Sequence, residues 1–294
     1  MKWIGCACLL ALLVLVPAPD VYAQLNVDAS TSNYSYGRMR MLVQRSSRQY
    51  TMYQYGVGEL SNTRAPLIDT IEEFNRSLVR VRQSGPAQGL PPVSDEVVLQ
   101  QLDIIGKKWE RLQEIYTFQP YKLALHNELL PTGERKDDPV LVRYIDRLTK
   151  DLLGEFETLT QAFVAYCDRT GSQACNTLLL ETGGLMQLSE AIATDILFAK
   201  LKIDAKSRRA DLRKKSGEFA SKLASMREPD YFADNQPALV KPILATIDAY
   251  WQQLKVFADM TIGRDEKQID IDLMLRAERR LLDEITNLVD VLSH

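Results

Sequence analysis

The residues with the most distinctive chemistry lie between Gly37 and Arg48, which read Gly-Arg-Met-Arg-Met-Leu-Val-Gln-Arg-Ser-Ser-Arg. On an α-helix, at roughly 100° per residue, this segment separates into faces. Arg40, Gln44, Ser47 and Thr51 share one line, at the spacing of a seam between two helices. That line offers a guanidinium, a carboxamide and two hydroxyls, with no carboxylate on it. An arginine displayed in this way can hold a planar oxyanion through two parallel hydrogen bonds. The same spacing also suits a solvated polar face whose arginines lie over neighbouring side chains. Met39, Leu42, Val43, Ser46, Tyr50 and Tyr53 form a second face, suited to packing in a bundle. Met41, Arg45, Arg48 and Met52 form a third.

Other chemistry is sparse. His126 and His294 are the only histidines, too few to suggest a metal centre beside the four cysteines. No nucleophile motif or phosphate loop is present, and acidic pairs such as Glu72-Glu73 are only neighbours in sequence. An enzyme is therefore not expected, and neither is a cofactor. With 36 Lys and Arg against 39 Asp and Glu, the chain lacks the basic excess that nucleic-acid binding requires. The basic stretch from Lys200 to Lys215, which includes Arg208, Arg209, Arg213 and Lys214, reads as a solvated helix face. Its competing reading is a dock for an acidic partner or anionic lipid.

The elements that must position these residues are helical. Met1-Lys2, an apolar run from Ile4 to Val16 and the small residues at Val21-Tyr-Ala23 order themselves as a secretory signal peptide over residues 1–23. The apolar run falls short of the roughly 20 residues of a membrane span. Export to the periplasm or beyond, with cleavage near Ala23, is the expectation. Cys6 and Cys8 leave with that segment. Cys167 and Cys175 then flank a turn in a space where disulfides persist, and a Cys167–Cys175 bridge is expected.

Apolar residues recur at helical spacing throughout. Helices are predicted near 36–56, 65–83, 95–116 and 139–166, with Ser94 capping the third. A second set is predicted near 178–201, 204–226, 236–260 and 265–292. Three ordered anchors relate the halves. Gly37 aligns with Gly183, Glu73-Phe74 with Glu218-Phe219, and Trp109 with Trp251, at offsets of 146, 145 and 142 positions. The expected architecture is all-α: two tandem antiparallel bundles of about four helices, one over 24–166 and one over 167–294.

The run Gly37-x-x-Arg40-Met41-Leu42-x-Gln44-Arg45 resembles the motif of the NarX-like and PilJ-like N-terminal sensor family. A Phe-x-x-x-Leu second helix, a Gly/Pro-rich break and a third helix with a central tryptophan extend the likeness over about Tyr36–Tyr116, and more weakly over Thr182–Phe257. The resemblance implies a periplasmic helical input domain of a nitrate/nitrite sensor or a type IV pilus chemotaxis transducer. In the nitrate-sensing members an arginine of the first helix binds the anion between two subunits, and the matching position here is Arg40. The ligand implied is a small oxyanion such as nitrate or nitrite. The partner implied is an envelope sensor or pilus-associated protein. The Tyr34-Ser-Tyr36 flank departs from the nitrate sensors. Carried to the second half, the offset replaces Arg40 by Met186, Gln44 by Glu190, Ser47 by Ala193 and Thr51 by Leu197. That turns the stripe into a packing surface, consistent with either a homodimer or a pseudo-dimer within one chain. A helical scaffold of the cell envelope that binds no ligand is the alternative.

Overall fold

The computed structural model describes residues 20–59, 64–83, 95–117, 138–170, 177–228 and 237–293, with side chains from Tyr36 onward except at 170, 177–179, 237 and 293. These residues form α1 (Asp20–Tyr55), α2 (Ala65–Arg82), α3 (Glu96–Thr117), α4 (Pro139–Thr170), α5 (Thr177–Lys200), α6 (Ala205–Ser225), α7 (Pro237–Ile262) and α8 (Ile271–Ser293). The architecture is all-α, with α1–α4 in one group and α5–α8 in another.

Each group follows from amphipathic spacing. In α2 the stripe Leu67, Ile71, Phe74, Leu78 and Val81 is buried, and in α3 so are Val98, Leu102, Ile105, Trp109 and Leu112. Side-chain contacts fix the directions. Trp109 Nε1 donates to Asn75 and Arg82 Nη2 donates to the Leu102 carbonyl, so α2 and α3 are antiparallel. Gln101 meets Glu155 while Arg111 meets Tyr144, so α3 and α4 are antiparallel. In the second group, Arg208 pairs with Asp195 while Lys222 reaches Gly184, and Phe219 stacks on Trp251 while Arg209 reaches Thr261. The helices α5, α6 and α7 therefore alternate in direction.

Two helices depart from the one-face pattern. Most of α1 from Tyr36 to Met52, and almost all of α5 from Leu185 to Ala199, is buried. Such a helix belongs inside a larger assembly of helices. The two lie against each other and join the groups. The three faces read on α1 are thus all covered in part, including the face that carries Arg48, which is 5% exposed.

Three boundaries differ from the pattern-based expectation. The first helix is already formed at Asp20, the first described residue, rather than beginning near Tyr36; the stretch between them is polar and carries no apolar periodicity to announce a helix. The cap of α3 is Asp95, whose Oδ1 accepts from the Val97 and Val98 amides at 3.0 and 3.1 Å; Ser94 lies outside the described residues. The last helix begins at Ile271, capped by Asp270, after a 3-10 turn at Glu266–Gln268. Asp265 opens that turn without a side-chain cap, so the chain reorients before α8 starts. Residues 1–19, which carry most of the expected signal peptide, lie outside the described residues, as do His126, His294 and Cys175. Cys167 is buried at 2% exposure near the end of α4.

Candidate functional site

The contact that organises the site is a glycine crossing. A Cβ built on Gly37 would fall 2.6 Å from the Gly183 Cα, well inside contact distance, so only glycine permits this approach of α1 to α5. Further along, Arg45 Nε donates to Glu190 Oε1 at 2.6 Å. Residue numbers rise together on both helices, so α1 and α5 run parallel. The residues aligned by sequence, Gly37 and Gly183, touch.

The stripe Arg40, Gln44, Ser47 and Thr51 is divided by this packing. Gln44 and Ser47, 8% and 1% exposed, line a cavity of about 310 Å³ between α1, α4, α5 and α6. Thr149 of α4, Gln187, Thr194 and Asp195 of α5, and Arg208, Lys214 and Lys215 of α6 complete much of its wall. Gln44 Oε1 is buried without a hydrogen-bond partner among the described residues. Thr51 does not line the cavity; it is fully buried, and its hydroxyl donates to the Ser47 carbonyl. Arg40 does not line it either, and lies about one helical turn from Gln44, or roughly 6 Å along the axis. The acid missing from its own helix comes from α4: Arg40 Nη2 is 3.1 Å from Glu157 Oε2. Burial pulls the Arg40 guanidinium below its ordinary pKa, and Glu157 opposes that shift.

The third face of α1 carries a second charged constellation that spacing alone did not single out as a site. Arg45 and Arg48 reach Glu190 of α5, and Arg48 also reaches Glu278 of α8 at 3.3 Å. Both glutamates are essentially inaccessible, at 0% and 3% exposure. Glu190 was visible in the sequence as the single acid in an otherwise apolar stripe. Its pairing with arginines 145 and 142 positions earlier was not.

The basic run of α6 also turns inward. Arg208 is 2% exposed, with Nη2 at 2.6 Å from Asp146 and Nη1 at 2.9 Å from Asp195, and its guanidinium lies 4.5 Å from the Phe198 ring centre. Burial alone lowers its pKa, but the two aspartates outweigh it and the value rises. Lys215 joins Asp195, and Arg209 pairs with Glu266. Only part of the run is the solvated face expected from composition, because Asp146 and Asp195 are supplied by other helices. Among the described residues no group of three or more His, Cys, Asp or Glu is arranged to hold a metal ion.

Residues 21–128 match the family described as Type IV pili methyl-accepting chemotaxis transducer N-term, PilJ. This stretch is a PilJ-type N-terminal domain. It takes in α1, α2 and α3, and therefore Arg40, Gln44, Ser47 and the arginines of the third face. Helix α4, which closes the first group, lies beyond the PilJ-type match, as does all of the second group. Domains of this type serve transducers as sensory input rather than as catalysts. No curated protein and no solved structure matches the chain. Among the described residues, no helix is long and apolar enough to cross a membrane.

Proposed function

We propose that the chain is an exported sensory-accessory protein of the cell envelope, whose PilJ-type domain binds a small oxyanion-bearing ligand and whose second half is a diverged copy of the first. The observation that carries the reading is the cavity, whose largely apolar wall is rimmed by charged side chains of both signs, Asp211 and Glu218 beside Lys214 and Lys215 among them. It is bounded by Gln44 and Ser47 of the PilJ-type domain on one side and by α5 and α6 on the other, so a bound ligand touches both halves. Lys214, which lines it, carries an exposed pair with Glu218 one turn along its own helix, whereas Lys150 pairs with the half-buried Asp146. An exposed pair holds its ammonium weakly and leaves it able to meet an anion. Arg40 is held by a glutamate that is 57% exposed, an exchangeable partner for the same reason. A ligand that prefers one spacing of α1 and α5 shifts the population of that spacing, and an envelope sensor or pilus-associated protein reads it.

Duplication is supported by equivalent contacts. Phe74 stacks on Trp109 with ring centres 4.0 Å apart, and Phe219 stacks on Trp251 at 4.3 Å. With Gly37 against Gly183, the three sequence anchors occupy matching places in their groups. The pair of halves then forms a pseudo-dimer within one chain.

Titration calorimetry with nitrate, nitrite, phosphate and succinate tests the ligand reading. Saturable binding of one of them is expected, with a loss of about tenfold or more in Arg40→Ala if this arginine is a ligand, the worth of one charge-assisted hydrogen bond. Unchanged affinity in that variant removes Arg40 from the site. Absence of binding by every probe favours the alternative, a helical scaffold or interaction protein. That alternative draws on one observation, the carboxylate already seated on Arg40.

A further inference from the structure

The junction of α1, α5 and α8 holds two carboxylates in a place where both cannot be charged cheaply. Glu190 and Glu278 are buried; Glu278 Oε1 has no hydrogen-bond donor among the described residues, and Glu190 Oε2 has an ion pair with Arg48 but no hydrogen bond of good geometry. The arginines do not divide evenly between them. Arg45 Nε sits 2.6 Å from Glu190 Oε1 and Arg48 Nη2 sits 3.0 Å from Glu190 Oε2, whereas Glu278 has only the same Arg48 Nη2 at 3.3 Å. The charges acting on Glu278 are thus Arg45 and Arg48 of α1 and Glu190 of α5. Glu73 of α2 acts on Arg45 from outside the pair. The buried residues of α7, the other helix packed on α8, are Val240, Leu244, Ile247, Trp251, Leu254, Ala258 and Thr261, none of them ionisable.

Two buried carboxylates that draw on one guanidinium nitrogen, one of them with an oxygen that meets no donor among the described residues, are relieved by one proton. We propose that Glu190 and Glu278 share a single proton, seated on Glu278, and that this proton fastens α8 to the α1/α5 pair so that the packing of the last helix follows pH. The electrostatics agree with the geometry. Burial pushes Glu278 up to about 7, with Glu190 adding to the rise and the arginines opposing it. Glu190 is held below its ordinary value because Arg48 and Arg45 outweigh its burial. The sign follows. A carboxyl raised in the fold stabilises it fully below the ordinary carboxylate range, and that contribution is lost as pH climbs to about 7. Above that pH both carboxylates are charged, and α8 loses its acid–acid hydrogen bond while gaining repulsion.

Infrared spectroscopy of the whole chain reads the proton directly, and amide hydrogen exchange reads the latch. The protonated carboxylic acid stretch is expected in the wild type at mildly acidic pH and lost through neutrality, and absent in Glu278→Gln. That variant keeps a donor toward Glu190 and mimics the protonated form, so it is expected to fold. Exchange of α8 amides, corrected for intrinsic rates, is expected to speed up by roughly tenfold or more between about pH 6 and pH 8 in the wild type. In Glu278→Gln it is expected to stay flat. A wild type without the acid band, or an α8 whose protection depends on pH equally in both proteins, overturns the proposal. Glu190→Gln provides the second check. It removes the negative charge beside Glu278, so the titration of Glu278 must move; an unmoved midpoint also counts against the shared proton.

Discussion

Replacing Gly37 by alanine tests the contact on which the whole arrangement of halves depends. The added methyl would lie 2.6 Å from the Gly183 Cα and 3.2 Å from its carbonyl carbon. Carbon atoms in good contact sit about 3.5–4.0 Å apart, so α1 and α5 must separate by roughly 1 Å. Both obstructing atoms are backbone, and no flexible side chain can give way. Overpacking of this kind costs about 1–3 kcal/mol, and alanine returns up to about 1 kcal/mol through helix propensity. A net loss of about 1–2 kcal/mol is expected, since separation also draws Arg45 and Arg48 away from Glu190. Gly184, one residue further on α5, supplies the control. A Cβ there meets only the Lys222 side chain, at 3.7–4.0 Å, which is ordinary contact. Gly184→Ala should therefore gain about 0.5–1 kcal/mol. Urea denaturation followed by far-ultraviolet circular dichroism measures both. If the two alanines shift stability in the same direction by similar amounts, α1 and α5 do not cross at their glycines and the parallel pairing is wrong.

Arg208→Ala leaves Asp146 and Asp195 facing a buried gap, and a loss of about 3–5 kcal/mol is expected in the same denaturation assay. Arg208→Lys should recover only part of it, because one ammonium cannot span both acids; a cost below about 1 kcal/mol for the alanine variant contradicts the buried bridge. Asp270→Ala removes the acceptor for the Asp272 and Leu273 amides, and should cost about 1 kcal/mol and raise exchange in the first turn of α8 alone. Exchange raised along all of α8 instead would mean that the cap holds more than the helix end.

Much of the fold was legible because α2, α3 and α4 bury one stripe each, and a stripe is a local pattern. The tryptophans were legible as core for the same reason: Trp109 and Trp251 each stack on a phenylalanine of a neighbouring helix and both are 1% exposed. What could not be read was which polar residues face inward. Arg208 sits in a run of cations that looks solvated in one dimension, and only α4 and α5, delivering Asp146 and Asp195 from 62 and 13 positions away, make it a core residue. Boundaries followed capping chemistry rather than periodicity. Asp95 and Asp270 each place a carboxylate over two free amides, whereas Asp265, equally acidic, opens only a 3-10 turn.

The stripe on α1 was read as a line of polar groups lacking an acid, but its own arginine and the two arginines of the adjoining face found acids on other helices. Arg40 took Glu157 from α4, while Arg45 and Arg48 took Glu190 from α5. The second case bears on how the halves associate. Counting from Gly37 and Gly183, Glu190 stands where α1 has Gln44, and Ala191 stands where α1 has Arg45. Two copies of α1 crossing at Gly37 would bring arginines against each other with a glutamine between them, and repulsion would resist the pairing unless an anion intervened. The same crossing with α5 sets an acid against the arginines and needs no anion at that level. The residues that make α5 a poor anion site in this register are thus the ones that make it the better partner for α1. Neutralising Glu190 removes the basis for that preference, so the residue at position 190 ties the choice of partner helix to the protonation of Glu278.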